Sequence, residues 1–335
     1  MKIILWTLSK IYGFLATSRR FFYENGLIPQ KKLPIPVISI GNLSVGGTGK
    51  TPITIFTAKA LQKKGFKVCV LSRGYKRKSQ ELIIAQDTNN ISYEDVGDEP
   101  YIMLKQNIPI AVHKDRYKAG VEALKKIKPD IFILDDGFQH YQLYKDIDNL
   151  VTDATKPFWE DQLLPLGRLR EPPSFSMYAD SIIITRLHLL KEQRQKEILE
   201  QAKKFNKPVF IAREKIEKIL DPFSNTYPLE ILKGKKVTVF AGLGNNTQFF
   251  ETVKKLSQKY DFSIEEFISF PDHYDYKNFK PKKERIYLTT EKDIIKIKEK
   301  NVFALNYEID IDKDYEELIL NKIKKREQNA RKTPV

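Results

Sequence analysis

The sequence predicts an α/β protein whose parallel sheet is covered by helices on both faces. Short, continuously apolar runs alternate with longer amphipathic segments along the chain, and such strands are typical of parallel sheets buried on both sides. The alternation restarts near residue 207, so a second, smaller α/β domain is expected after the first. An apolar, basic segment precedes both, and its spacing predicts an N-terminal amphipathic helix.

The elements of the first domain follow one another between residue 34 and about residue 186. The expected strands are "PVISI", "KVCVLS", "IPIAV", "DIFILDD" and "DSIIITR". The expected helices are "TPITIFTAKALQKKG", "EPYIMLKQN" and "RYKAGVEALKKIK". Strands that alternate with helices in this way favour βαβ units.

The second series supplies the elements of the smaller domain. Its expected strands are "KPVFIARE", "KKVTVFA", "RIYLTT" and "NVFALNYEIDI", and its expected helices are "TQFFETVKKLSQKY" and the segment after "RIYLTT". "DPFSNTYPLE" is interpreted as an irregular connection. The expected division is residues 1–28 for a membrane-associating helix, 29–205 for the first domain and 206–335 for the second, with the break between 190 and 235.

Composition favours a globular protein with no disulfide framework. The chain has 335 residues, of which 41% are hydrophobic and 11% aromatic, enough for one large or two medium cores. The single cysteine, Cys69, excludes an intrachain disulfide and a multi-cysteine zinc site. Its apolar neighbours predict a buried strand residue.

The positive charge is concentrated at the two ends of the chain. The net charge is +15, and residues 1–40 and 321–335 each hold six Lys or Arg against one Glu. Basic surfaces of this kind attract nucleic acid, anionic lipid or a phosphorylated substrate. Charge alone does not choose among them.

The N-terminal segment favours a membrane surface over a membrane span. Its apolar run, residues 3–16, is interrupted by Lys10, whereas a spanning helix needs about 20 apolar residues. Helical spacing of apolar side chains between basic residues is typical of a helix that lies in the membrane interface. The alternative is a helix that packs on its own protein.

"SVGGTGKT" has the composition of a phosphate-binding loop. It follows an apolar strand and precedes a helix, so its backbone N–H groups and the helix N-terminus would face a phosphate. Lys50 would reach the β- and γ-phosphates and Thr51 would hold Mg²⁺. The first glycine of the usual P-loop pattern is replaced by Ser44, so the loop is a variant. The nucleotide-binding residues predicted are Ser44, Val45, Gly46, Gly47, Thr48, Gly49, Lys50 and Thr51.

A pair of acids ends a neighbouring strand. In "IFILDDGFQH", Asp135 and Asp136 follow four apolar residues. P-loop enzymes use a carboxylate at this place to organise the metal ion, and two buried aspartates need a cation or hydrogen bonds. The alternative is an Asp-Gly turn. Together with the loop, the strand predicts Mg²⁺-nucleotide binding by a P-loop NTPase-type domain.

Other candidates for the acceptor side lie in four further stretches, "LSRGYKRK", "GDEP", "LPLGRLREPP" and "SFPDHYDY". A kinase that acts on a hydroxyl needs a carboxylate to accept the proton, and a histidine can orient it. The stretches "GDEP" and "SFPDHYDY" offer the carboxylates Asp98, Glu99, Asp272 and Asp275 and the histidine His273. The alternatives are that Asp98 caps a helix and that "PDHYDY" is a polar turn.

The motifs in order closely resemble the tetraacyldisaccharide 4′-kinase (lipid A 4′-kinase) family. They are "GNLSVGGTGKT", "LSRGYKRKS", "GDEPYIMLK", "DRYKAG", "LDDGFQH", "LLPLGRLREP" and "SFPDHYDY", between about residues 34 and 293. The resemblance implies ATP-dependent transfer of the γ-phosphate to the 4′-hydroxyl of tetraacyldisaccharide 1-phosphate, which forms lipid IVA in lipid A biosynthesis.

The resemblance also implies roles for individual residues. Asp98 would be the catalytic base, His273 its partner and Lys50 the phosphate lysine. Thr51, Asp135, Asp136 and Glu171 would lie at the metal, with the choice between the two aspartates open. The substrate-binding residues implied are Asn42, Arg73, Tyr75, Gln139 and Arg170.

The expected cofactors are ATP and Mg²⁺, and the expected partners are the lipid substrate and an anionic membrane surface. No nucleic acid is expected, and the protein is expected to be a monomer, peripheral at the cytoplasmic face of the inner membrane. Two alternatives remain open. One is a P-loop kinase of a soluble small molecule, and the other is a nucleotide-dependent switch that binds DNA.

Overall fold

The computed structural model describes residues 2–332. Met1, in the predicted N-terminal region 1–28, and residues 333–335, in the predicted second domain 206–335, lie outside the described residues. The helices are α1 (Lys2–Glu24), α2 (Lys50–Lys63), α3 (Tyr93–Val96), α4 (Asp98–Lys105), α5 (Arg116–Lys126), α6 (Glu192–Lys203), α7 (Asn246–Tyr260), α8 (Glu291–Ile294) and α9 (Lys313–Lys332). Short 3-10 helices cover Phe158–Glu160, Pro173–Tyr178, Leu187–Leu189 and Leu229–Leu232.

The strands of the described residues form one 13-stranded sheet. They are β1 (Val37–Gly41), β2 (Val68–Ser72), β3 (Ile83–Ala85), β4 (Ile110–Val112), β5 (Ile131–Asp135), β6 (Ile147–Asp153), β7 (Ser181–Thr185), β8 (Val209–Leu220), β9 (Thr226–Pro228), β10 (Lys236–Ala241), β11 (Ser263–Ser269), β12 (Ile286–Thr289) and β13 (Val302–Asp310).

The strand order is β11-β10-β12-β13-β8-β7-β6-β1-β5-β2-β4-β3, and β9 pairs with β8. All neighbours are parallel except β13 with β8, β3 with β4 and β8 with β9. β1 lies between β5 and β6, so the loop after β1 opens at the middle of the sheet. Ligands of open parallel sheets bind at this carboxyl edge.

The long strand β8 joins the two halves of the chain. Its first part, up to Ala212, pairs in parallel with β7, and the part from Arg213 to Leu220 pairs antiparallel with β13. The predicted α/β class with a parallel sheet is confirmed, and the two predicted sheets are continuous through this strand. The boundary between residues 205 and 206 stays a prediction.

The C-terminal helix α9 returns to the first half of the chain. Tyr315, Ile319 and Ile323 are buried in the core that Ile38 and Ile53 also line, and the Tyr315 hydroxyl lies 2.9 Å from that of Thr57 in α2. Each half otherwise has its own apolar clusters. Residues after the predicted boundary therefore stabilise the first half.

Several elements differ from the sequence expectations. β6 was not expected, because its sequence "IDNLVTD" is polar. The structure pairs its polar side chains: Lys145 forms an ion pair with Asp148, and Asn149 donates to the carbonyl of Ser39 at 3.1 Å. The helix expected after "RIYLTT" has only four residues, α8, and the expected irregular connection contains β9.

Candidate active site

The segment between β1 and α2 is the candidate phosphate-binding loop. α2 begins at Lys50, and Gly49 before it has a φ of 87°, a left-handed conformation that glycine adopts without strain. The Thr48 hydroxyl accepts a hydrogen bond from Asn42 Nδ2, and the Thr48 carbonyl accepts one from the Thr185 hydroxyl, both at 2.9 Å. The loop thus holds its backbone at a helix N-terminus, where anions bind.

The "LPLGRLREP" segment runs along this loop. The backbone N–H of Val45 donates to the carbonyl of Arg168 at 2.8 Å, and that of Arg170 donates to the carbonyl of Leu43 at 2.7 Å. Arg168, which had no predicted role, forms a 2.8 Å ion pair with Asp161. The pairing places Arg170 beside the phosphate-binding loop.

Asp136, directly after β5, is held by two cations. Arg170 donates from both terminal nitrogens to the two carboxylate oxygens, at 2.9 and 2.8 Å, and Lys50 Nζ lies 3.5 Å from Oδ1. Burial raises the pKa of Asp136, but Lys50 and Arg170 outweigh it and hold that pKa well below its usual range. Burial in turn lowers the pKa of Lys50, and the opposing charge of Asp136 does not fully offset this.

Asp135 and Glu171 are buried acids with raised pKa values. Burial and the neighbouring charge of Asp136 raise the pKa of Asp135 to about 6. Burial raises the pKa of Glu171 to about 7, although its carboxylate accepts a 2.8 Å hydrogen bond from Gln139. The same Gln139 nitrogen donates to the carbonyl of Asn42 at 2.9 Å. Both acids would be stabilised by a nearby cation.

The predicted metal ligands do not form one cluster. Within residues 2–332, no three His, Cys, Asp or Glu side chains converge to hold a metal ion by themselves. Asp135, Asp136 and Glu171 are therefore not gathered into one site. Mg²⁺ at P-loops uses one or two protein ligands together with phosphate oxygens and water, so a pair such as Thr51 and Asp135 fits this donor set.

Asp98 and His273 are brought together from 175 residues apart. Nδ1 of His273 lies 2.9 Å from Asp98 Oδ2, and Lys296 Nζ lies 3.0 Å from the same oxygen. Burial raises the pKa of Asp98, but the hydrogen bond with His273 and the charge of Lys296 outweigh it and hold the pKa below its usual range. The residue at the N-cap position of α4 is Gly97. The Asp98 carboxylate is therefore not the cap of this helix and is paired with His273 and Lys296 instead.

Two predicted substrate residues follow β2. Tyr75 places its ring edge-on to that of His273, with 5.7 Å between ring centroids, and its side chain is 59% exposed. Arg73 is also exposed. Both side chains are open to a substrate that approaches the Asp98–His273 pair.

The site thus consists of two groups of residues, the phosphate-side residues and the acid–histidine residues. The first contains Lys50, Asp136 and Arg170, and the second contains Asp98 and His273. Among the described residues no hydrogen bond or ion pair joins the two groups. Glu99, next to Asp98, lies close enough to Asp135 for its charge to contribute to the raised pKa of Asp135.

Two residues of the site were missed at the level of sequence. Lys296 has no motif spacing that marks it, because its partner Asp98 lies in the other half of the chain. Arg116 lies in "DRYKAG", a motif that carried the family resemblance but received no role. Arg116 is buried, and its Nε has no hydrogen-bond partner among the described residues. It lies close enough to Asp135 and Asp136 for their charges to affect the pKa of Arg116.

The N-terminal helix α1 is fixed to the loop that carries Arg170. The Ser9 hydroxyl donates to the carbonyl of Leu163 at 2.9 Å, and the Tyr12 hydroxyl donates to the carbonyl of Arg170 at 3.0 Å. Arg20 is buried, with its guanidinium against four aromatic rings: Phe138, Tyr141, Phe175 and Tyr178. One face of α1 therefore packs on the protein.

The rest of α1 exposes large apolar side chains: Ile3, Ile4, Trp6, Leu8, Ile11, Phe14, Leu15, Phe21 and Phe22. Exposed apolar side chains concentrated on one helix are typical of an interaction site. Across the described residues, no helix has the length and apolar character needed to cross a bilayer. One face of α1 is thus packed on the protein, and the location of the other face in a membrane interface stays a prediction.

Comparisons with known proteins identify the family of the chain. The family model "LpxK: Tetraacyldisaccharide-1-P 4'-kinase" matches residues 1–324. The tetraacyldisaccharide 4'-kinase of Aquifex aeolicus is 42% identical over 311 residues, covering 91% of this chain and 93% of the relative. That of Halothermothrix orenii is 35% identical over 328 residues, covering 88% and 83%.

A solved structure is similar over nearly the whole chain. It is the crystal structure of the "apo" form of LpxK from Aquifex aeolicus in complex with ATP. The similarity has a TM-score of 0.83 at 39% sequence identity and covers 96% of this chain and 99% of that one.

Proposed function

The chain belongs to the LpxK family of tetraacyldisaccharide-1-phosphate 4′-kinases, and from this premise we propose how its residues carry the reaction. The protein is a kinase that transfers the γ-phosphate of ATP to the 4′-hydroxyl of tetraacyldisaccharide 1-phosphate, forming lipid IVA in lipid A biosynthesis. The observation that carries the proposed mechanism is the hydrogen bond between Asp98 and His273, formed across the two halves of the chain.

Asp98 is the proposed base. Its hydrogen bonds from His273 and Lys296 both fall on Oδ2, and among the described residues no hydrogen bond falls on Oδ1. That oxygen is available to the 4′-hydroxyl. As the hydroxyl oxygen bonds to the γ-phosphorus and the bond to the leaving ADP oxygen breaks, Asp98 accepts the hydroxyl proton. Nδ1 of His273 donates to the carboxylate and orients it.

The phosphate-side residues supply the electrostatic part of catalysis. In phosphoryl transfer, charge is spread over the phosphoryl oxygens and most of the catalysis is positioning and electrostatics. The backbone of residues 44–51 is proposed to cradle the phosphates, with Lys50 at the β- and γ-phosphates. Asp136 holds Lys50 and Arg170 side by side, so it positions two cations instead of binding a third.

The donor set fits one magnesium ion that ATP brings with it. Asp136 already has cations on both oxygens, whereas the raised pKa of Asp135 marks a buried carboxylate that a cation would stabilise. We therefore assign Asp135, with the Thr51 hydroxyl, to the metal. Bound there, Mg²⁺ would neutralise charge on the phosphates. Glu171, which accepts a hydrogen bond from Gln139, is assigned a supporting role at this metal site.

The substrate-binding residues divide between the two groups. Tyr75 is proposed to contact the sugar because it is exposed beside His273, and Arg73 because it is exposed two residues earlier in the same segment after β2. Asn42, Gln139 and Arg170 are proposed to act on the phosphate side, since Asn42 accepts from both of the others. The three predicted regions 1–28, 29–205 and 206–335 are proposed to serve as membrane helix, kinase domain and closing domain, with α9 of the last region packed on the kinase domain.

The acyl chains provide the test of the substrate class. We expect transfer from ATP to tetraacyldisaccharide 1-phosphate in mixed micelles to exceed transfer to the deacylated disaccharide 1-phosphate by roughly 10²-fold in kcat/KM, because remote binding energy supports the reaction. Equal values would favour the alternative, a kinase of soluble small molecules. The DNA-binding switch predicts that neither sugar is phosphorylated.

We also propose that the protein works as a peripheral monomer at the cytoplasmic face of the inner membrane. Asp98 and His273 come from one chain, so a second copy is not needed to complete the pair. The acyl chains of the substrate stay in the bilayer, and the free apolar face of α1, flanked by basic residues, suits an anionic membrane surface. Nucleic acid has no part in the proposal.

A double substitution in α1 tests the membrane proposal. Trp6 and Phe14 are 54% and 70% exposed, so Trp6→Glu with Phe14→Glu leaves the fold intact. Losing two interfacial aromatic side chains should weaken binding to anionic vesicles by roughly 10²-fold or more, as measured by co-sedimentation. Thr247→Glu with Gln258→Glu in α7 makes the same charge change on another surface and should bind normally. Equal binding by both variants would contradict the role of α1.

A further inference from the structure

The segment from Thr289 to Ile297 contacts Asp98 and the residues that position His273. Lys296 follows α8, its side chain is 3% exposed, and its ammonium lies 3.0 Å from Asp98 Oδ2. A buried ammonium is costly without a paired charge. The ion pair with Asp98 therefore provides the charge that Lys296 needs in this position.

Lys296 also reaches the loop that carries the histidine. Its ammonium donates to the carbonyl of Tyr274, the residue after His273, at 3.3 Å. One charged group thus bridges Asp98, from the first half of the chain, to the backbone beside His273, from the second. A shift of either partner would break one of the two contacts.

The same segment fixes the other side of that loop. Asp293 is fully buried and accepts from the backbone N–H of Gly242 at 3.1 Å, and the Gly242 carbonyl accepts from the backbone N–H of His273 at 3.1 Å. His273 has a φ of 63°, a conformation that costs energy for residues other than glycine. These contacts offset that cost and hold the imidazole towards Asp98.

We propose that Lys296 is a positioning residue for the proposed base: it holds the Asp98 carboxylate ionised and fixes it against His273 across the two halves of the chain. The inference rests on the proposed function in taking Asp98 as the base. It assigns no contact with substrate to Lys296, whose ammonium is shielded by Asp98 and Tyr274.

The charges around Asp98 give the sign of the effect. The groups that face it are His273 and Asp272 from the histidine loop, Lys292 and Lys296 from α8 and the residues after it, Glu99 from its own helix, and Tyr93 from α3. Lys292 pairs with Glu99, so among the described residues Lys296 is the cation left to balance Asp98. Removing Lys296 raises the pKa of Asp98, and the ionised base is then lost as the pH falls through that higher value.

Lys296→Met tests the inference through the pH profile of kcat. The acid limb should move upward by roughly 1–3 pH units, kcat at its plateau should fall by about tenfold through looser geometry, and KM for ATP should change by less than about threefold. Lys296→Arg keeps the charge and should restore the position of the limb. Lys292→Met, which removes a neighbouring charge paired with Glu99, should move the limb by less than half as much as Lys296→Met does.

A second readout needs no turnover. In protein labelled with ¹³C at the aspartate carboxyls, the Asp98 signal is identified by its loss in Asp98→Asn. It should titrate below the ordinary value in the wild type and higher in Lys296→Met. An ordinary or raised value in the wild type would overturn the inference even if Lys296→Met does not fold, and so would an unmoved signal in a folded variant. If the titration behaves as expected but Asp98→Asn remains active, the inference about ionisation stands and the proposed base fails.

Discussion

Asp98→Asn is expected to give a folded protein whose kcat falls by roughly 10²–10⁴-fold. Asparagine keeps the size of the side chain and can still meet His273, but its amide cannot take the proton of the 4′-hydroxyl. KM for ATP should stay close to the wild-type value, because the phosphate-side residues are unchanged. Steady-state kinetics at several pH values, with circular dichroism to check folding, measure the effect.

His273→Ala should lower kcat in the same direction, and the double variant should lose less than the product of the two single losses, because paired groups are not additive. Glu99→Gln is a matched control, since Glu99 is the neighbouring acid on α4 and pairs with Lys292. It should retain most of the activity. Full additivity, or an active Asp98→Asn enzyme, would rule out the pair and leave Asp136 as the next candidate.

Lys50→Ala is expected to lower kcat by roughly 10²–10³-fold, the usual loss when one preorganised donor to a developing charge is removed. Asp136 would still be paired with Arg170 at 2.8 Å, so the buried acid keeps a cation and the fold should be retained. Lys63→Ala removes an exposed lysine from the other end of α2 and should be neutral. Near-normal turnover by Lys50→Ala would contradict the assignment of the phosphate-binding loop.

Local sequence patterns indicated the candidate phosphate-binding residues, whose role stays a prediction. The loop, its lysine and the paired aspartates each follow an apolar strand, and the ends of parallel strands meet at one edge of the sheet. The seven ordered motifs also led to the correct family. The clamp of Lys50 and Arg170 on Asp136 was not predicted. Arg170 lies in a loop 34 residues after Asp136, and local sequence does not show that this loop returns to the site.

The other residues depend on contacts between distant parts of the chain. The pairing of Asp98 with His273 came from the family resemblance and not from spacing. Lys296 was missed because nothing local distinguishes it from the many other lysines of a basic chain. β6 was missed because its polar residues suggest a loop, until partners such as Lys145 and Ser39 are known. The assignment of metal and substrate residues remains a proposal.

The identity of the phosphorylated product tests the central claim most directly. Purified wild-type protein is incubated with [γ-³²P]ATP and tetraacyldisaccharide 1-phosphate in mixed micelles, and the labelled lipid is isolated and its phosphate position determined by NMR. We expect one new phosphate on the 4′-oxygen, and almost none when Asp98→Asn replaces the wild type. Label that appears only as inorganic phosphate, or at another hydroxyl, would contradict the account.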